Sequence, residues 1–219
     1  MSDSRKSFHA ELKDLEREML KMGSIVGESI SKSIEALMNK DLELADKVIK
    51  DDDLIDAYEL DIEEKCTRLI ALQQPVAIDL RKIIVISKLV TDLERIGDNA
   101  SNIAHRVKDI GEQPLIKEMQ DLPGMKEIVV QQLRGSLKAF VDMDIEKAKE
   151  VAARDKKVNM LDKKIKHELL NVMKNDCATI EQGTSLMFIS RFLERIGDHS
   201  TNICERTVYM KTGNWEELE

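Results

Sequence analysis

Two twelve-residue phrases carry acids at matched places, LERIGDNASNIA from Leu93 to Ala104 and LERIGDHSTNIC from Leu193 to Cys204. In the first, Glu94 and Asp98 stand four residues apart, with Asn102 one turn further on; Glu194, Asp198 and Asn202 repeat the set. Side chains four apart stack along one edge of a helix, so each phrase offers a column of oxygen donors. A second column precedes each phrase, Asp52 and Asp56 in the first half and Asp155 and Asn159 in the second. Oxygen donors meeting from two neighbouring helices are what a hard or borderline cation requires. The same spacing also describes a solvated helix edge on which Arg95 or Arg191 forms surface ion pairs, and the residues leave both readings open. No HExxH pattern occurs, and His9, His105, His167 and His199 do not cluster along the chain.

The elements that must position these acids are helices. Charged residues make up 35% of the chain and aromatics 3%, with only three prolines, the balance of an all-α protein. Leu12, Leu15, Met19, Met22, Val26, Ile30 and Leu37 recur at helical spacing over Ser4 to Met38. After a break at Asn39 to Asp41, where Asp41 can cap, a second helix runs to about Ala71. Pro75 fits the first turn of a third helix, along which Ile86, Leu89, Leu93, Ile96, Ala100, Ile103 and Val107 form a bundle seam. The Pro- and Gly-containing stretch from Lys108 to Gly124 then reads as a connection, with a new helix from near Pro123. The second half replays the first: Val48 answers to Val151 at an offset of 103, and Glu94 to Glu194 at 100. The second copy is therefore shorter around Asp176 to Thr179. The expected fold is two tandem antiparallel three-helix bundles, residues 1–110 and 123–219, joined by residues 111–122. On the second helix, Asp52 and Glu59 occupy seam positions where apolar residues are expected, as do Asp155 and Asp162 in the repeat. Glu94 and Asp98 are expected to flank the seam and face outward. Gly97 and Gly197, costly inside helices, predict a close helix contact.

A net charge of -8 with no long Lys/Arg run argues against a nucleic-acid binder. Cys66, Cys177 and Cys204 lack CxxC spacing and read as reduced intracellular thiols. The start MSDSRKSFHAELK has no signal-like apolar core, and no apolar run approaches the ~20 residues of a membrane span, so a cytoplasmic location is expected. Neither a Gly-rich phosphate loop nor a Ser/His/Asp constellation suggests catalysis.

The stretch QQPVAIDLRKIIVISKLVTDLERIGDNASNIA, from Gln73 to Ala104, resembles the PhoU family, as do DDDLID from Asp51 to Asp56 and FLERIGDHSTNICE from Phe192 to Glu205. The resemblance implies a homodimer of tandem three-helix bundles that is not an enzyme but a regulator of phosphate uptake and homeostasis. It implies negative regulation of the phosphate-starvation response, exerted between the phosphate ABC transporter ATPase (PstB-like) and its sensor histidine kinase (PhoR-like). The membrane would be reached only through those protein partners. Some family members hold multinuclear clusters of a transition metal, iron or zinc, through E/DxxxD motifs. Those motifs match Asp52 with Asp56, Glu94 with Asp98, Asp155 with Asn159 and Glu194 with Asp198; Asn159 departs from the pattern and implies a weaker second site. The second half reads ATIEQGTS where the first has QPVAIDLR, which places a partner surface on the first half. A metal-dependent phosphoesterase-like enzyme and a purely structural dimer module are the competing readings.

Overall fold

The computed structural model describes residues 2–218, with side chains from Ser7 onward. Helix α1 spans Ser2–Asn39, α2 Leu42–Gln73, α3 Ala77–Ile110, α4 Asp121–Asp142, α5 Ile145–Ala152, α6 Asp155–Asn175 and α7 Ile180–Thr212, with a 3₁₀ turn at Cys177–Thr179. No strand occurs among the described residues. The turns are built alike in the two halves. Lys40 adopts a left-handed φ of 56° and Asp41 caps α2, its carboxylate accepting from Leu44 N at 2.8 Å. Met143, with φ 50°, and Asp144, accepting from Lys147 N at 3.0 Å, do the same before α5. Each cap satisfies one of the orphan N–H groups at a helix start.

The apolar stripes read from the sequence face inward. All seven stripe residues of α1 and all seven seam residues of α3 are buried. Helix α3 packs on α1 and α2, and α7 on α4, α5 and α6, giving one set of three helices and a second in which α5 and α6 together stand where α2 stands in the first. These sets do not keep separate cores. Helix α3 lies against α7 and α1 against α4, and one continuous apolar cluster runs from Phe8 to Met210. Asp92 on α3 meets Arg206 on α7, while Arg106 meets Phe188, so these two helices cross in opposite directions.

The second half departs from one expectation. A single helix was expected from Asp144 to Lys174, but the chain tightens at Ala153 and Arg154 into short-range bonds, Arg154 N to Val151 O and Lys157 N to Arg154 O, separating α5 from α6. Asp155 therefore opens α6, whereas its counterpart Asp52 sits inside α2. The connection from Gly111 to Gln120 is pinned to the end of the second bundle: Gln182 Oε1 accepts from Ile116 N at 2.6 Å, and Gln182 Nε2 donates to Pro114 O.

Candidate functional site

In the first half, α2 and α3 bring Asp52, Asp56, Glu59, Glu94 and Asp98 to one shared edge. Gly97 makes this approach possible. A Cβ there would lie 2.9 Å from Ile55 Cδ1 and 3.1 Å from Ile55 Cγ2, so the missing side chain lets α2 pack closely on the α3 backbone with Ile55 and Asp52 against it. Burial pushes the Asp52 carboxyl up to about 6, helped by the charges of Asp98 and Asp56 and opposed by a hydrogen bond from Ser101. Glu94 rises to about 7, again first through burial and then through Asp98, Glu59 and Asp56. Asp98 and Glu59 are also raised, by burial first. Arg95 and, from the other half, Arg195 only moderate Asp98. None of Asp52, Asp56, Glu94 or Asp98 has an ion-pair partner among the described residues. The set holds concentrated negative charge without an internal counter-ion.

The second set has the same outline and a different electrostatic balance. Gly197 again makes room, with a would-be Cβ 2.5 Å from Asp155 Oδ1. Here, however, Asn159 Nδ2 donates to Asp155 Oδ2 at 2.7 Å, and Gln132 Nε2 reaches Oδ1 at 3.4 Å. Glu194 does not face outward as expected. It is buried, paired with Arg191 through Oε1, and its Oε2 lacks a partner. Asp162 is buried as well, accepting from Ser190 Oγ at 2.8 Å and from Lys166 Nζ at 2.6 Å. The ion-pair reading thus describes part of this half. Asp155, Asn159 and Asp198 line a cavity of about 570 Å³, with Thr201, Glu205 and Leu218 on its other walls. The C-terminal tail closes one side, Leu218 N donating to Glu205 at 3.0 Å.

The fit to a cation differs accordingly. In the first half the raised acids and missing counter-ions suit a multivalent cation. In the second, burial raises Asp155 and Glu194 as well, but nitrogen donors already engage both oxygens of Asp155 and Oε1 of Glu194, leaving Glu194 Oε2 as the unpaired buried oxygen, so the set fits a cation less well than the first. Among the described residues, no group of three or more His, Cys, Asp or Glu side chains is placed to hold a metal ion. The first set therefore supplies the charge for a cation site without a closed ligand shell. Cys66 and Cys204 are buried, and burial pushes both thiols up to about 12, which removes them as nucleophiles near neutrality.

Sequence reading missed Asp92. It is buried between α3 and α7, where His199 Nδ1 lies 3.1 Å, Asn202 Nδ2 3.2 Å and Arg206 Nε 2.8 Å from its oxygens. Burial alone would raise this carboxyl, yet the bonds from His199 and Arg206 hold it below the ordinary range. Its repeat counterpart is Phe192, which stacks on Phe188 beneath the Arg106 guanidinium. An acid at a position where the other copy keeps an aromatic was the signal available in the sequence.

The PhoU domain model matches this chain twice, over residues 19–107 and 122–207. The chain belongs to the PhoU family. It is 42% identical over 216 residues to a phosphate-specific transport system accessory protein PhoU homolog of Clostridium acetobutylicum, covering 98% of this chain and 99% of that one. The crystal structure of the phosphate transport system regulatory protein PhoU from Streptococcus pneumoniae superposes with a TM-score of 0.91 at 35% identity, over 96% of this chain and all of that one. The PhoU structure from Pseudomonas aeruginosa gives 0.89 at 38% identity, over 94% and 100%. The two matched ranges coincide with the two helix sets described above, α1 to α3 and α4 to α7. No described helix is long and apolar enough to cross a membrane.

Proposed function

We propose that this PhoU-family chain is a non-enzymatic, cytoplasmic regulator of phosphate transport that restrains the phosphate-starvation response. It acts as a homodimer between the transporter ATPase and its sensor kinase. The observation that carries this reading is the near full-length identity to proteins named phosphate-specific transport system accessory proteins. The first bundle offers the contact surface. Between α2 and α3, Gln74 and Ala77 both hold left-handed φ values, 47° and 50°, and present an apolar tip with Val76 74% and Leu72 66% exposed. The second bundle has an Asp176-capped 3₁₀ turn at the equivalent place. Gln74 closes α2 as a left-handed C-cap, as Met143 closes α4, whereas Ala77 holds a costly positive φ at the start of α3. The carboxylates of Asp52, Asp56, Glu94 and Asp98 would hold a multivalent cation, iron or zinc, whose charge relieves their repulsion.

Deleting the gene should raise phosphate-starvation gene expression in ample phosphate, and the wild-type gene should restore repression. Val76→Asp should fold normally yet fail both to restore repression and to co-purify with the transporter ATPase. Full repression without the gene would overturn the regulatory reading, and full activity of Val76→Asp would remove the tip from it.

A further inference from the structure

We propose that the outer ridge of α6 is a binding face for an anionic lipid surface. Lys156, Met160, Lys163, His167, Leu170 and Lys174 fall on one side of α6, opposite the buried Val158, Asp162, Ile165 and Leu169. The ridge runs about 27 Å at 1.5 Å per residue and carries no acid. Lys156, Lys163 and Lys174 are exposed and have no ion-pair partner among the described residues; the same holds for the adjacent Lys157. Met160 is 70% and Leu170 43% exposed between them.

The repeat supplies an internal control. At the offset of 103, the α2 positions matching Lys156, Lys163, His167 and Lys174 are Asp53, Leu60, Glu64 and Ala71. The same helix in the same fold does without these cations, so the bundle does not require them. A lipid surface fits the ridge better than an acidic protein does. Protein interfaces favour arginine and deplete lysine, and this ridge has lysine and no arginine. Exposed ammonium groups spread along one face of a single helix suit a flat field of headgroup phosphates, with the two apolar side chains reaching the acyl boundary. The overall charge of -8 does not prevent this, because charges on the other bundle are screened beyond a Debye length of ~8–10 Å. The ridge goes beyond the proposed regulatory role and does not depend on it. It departs from the expectation drawn from the family resemblance, under which the membrane is reached only through protein partners.

The test is co-sedimentation of the full chain with vesicles. Wild type should pellet with equimolar phosphatidylcholine and phosphatidylglycerol at about 0.1 M salt, where the screening length is ~10 Å, and should stay in solution with phosphatidylcholine alone. In the triple variant Lys156→Gln, Lys163→Gln, Lys174→Gln, partition should fall by on the order of 100-fold, from roughly fivefold per lysine. A control variant on α2, Lys47→Gln with Lys50→Gln, should partition as wild type does. Unchanged helical circular dichroism would show that both variants are folded. Wild type indifferent to anionic lipid, or a triple variant that binds as well as wild type, would overturn the proposal. So would wild type ignoring the vesicles but binding immobilised polyglutamate, with loss in the triple variant, since the ridge would then belong to an acidic protein.

Discussion

Asp52 and Glu94 set how the first carboxylate edge responds to pH. Their ordinary values are 3.8 and 4.5, and the fold moves them to about 6 and about 7. The folded state therefore binds more protons than the unfolded chain across that interval, and stability falls as pH rises through it. Below about pH 3 both states are protonated and the pair costs nothing; the folded state carries the full penalty only above about pH 8, past the folded value of Glu94. The denaturation midpoint of cation-free protein should drop between those limits, and zinc or ferrous iron should raise it most at the upper end. A midpoint that stays flat would show the carboxylates to be freely solvated. Elemental analysis should also find less metal in Asp98→Ala than in wild type. Gly97 is the other decisive residue. Gly97→Ala would gain about 1 kcal/mol of helix propensity, but the new methyl meets the buried Ile55 side chain at 2.9 and 3.1 Å. Overpacking of this kind costs about 1–3 kcal/mol, so a net loss is expected in urea denaturation.

At the scale of elements, the turns show how two sequences reach one geometry. Asp41 and Asp144 cap their helices after residues held at positive φ. Lys40 is exposed at φ 56°, a conformation that suits glycine better than lysine. Lys40→Gly should thus raise thermal stability slightly, by up to about 1 kcal/mol, whereas Asp41→Ala should lower it by about as much. A loss from Lys40→Gly would mean that the lysine stem, and not the backbone conformation, matters at that turn. The tightening at Ala153 and Arg154 has an element-level consequence too: Asp155 starts a helix, within reach of Gln132 and Asn159, and its set becomes internally bonded where that of Asp52 stays charged.

For the whole molecule, the decisive contact is the crossing of α3 and α7. The crossing is symmetric in backbone and asymmetric in chemistry: Asp92 with His199, Asn202 and Arg206 on one side, Phe188 and Phe192 with Arg106 on the other. Removing one partner of a buried pair leaves the other uncompensated, so Asp92→Ala should cost about 3–5 kcal/mol. Because the fold holds Asp92 below its ordinary value, its contribution is present near neutrality and lost as pH falls through the folded value. Chemical denaturation at neutral and acid pH checks both statements. If the Asp92→Ala deficit failed to shrink in acid, the network would not depend on this charge.

Most helices, the inward stripes and the repeat were legible in the sequence, because each is a local pattern with a period near 3.6 or a fixed offset; the break between α5 and α6 and the start of α3 at Ala77, two residues beyond Pro75, were not. Pairing Asp52 with Asp56 and Glu94 with Asp98 was legible for the same reason, as was the close approach at Gly97 and Gly197. Only tertiary structure decided that Glu194 is buried on Arg191 and that Asp155 is held by Gln132 on α4. It also decided that Asp92 joins the halves, and that one core spans both bundles. These outcomes depend on how helices far apart in the chain cross, and helical periodicity records which face is apolar without recording which distant side chain will meet it.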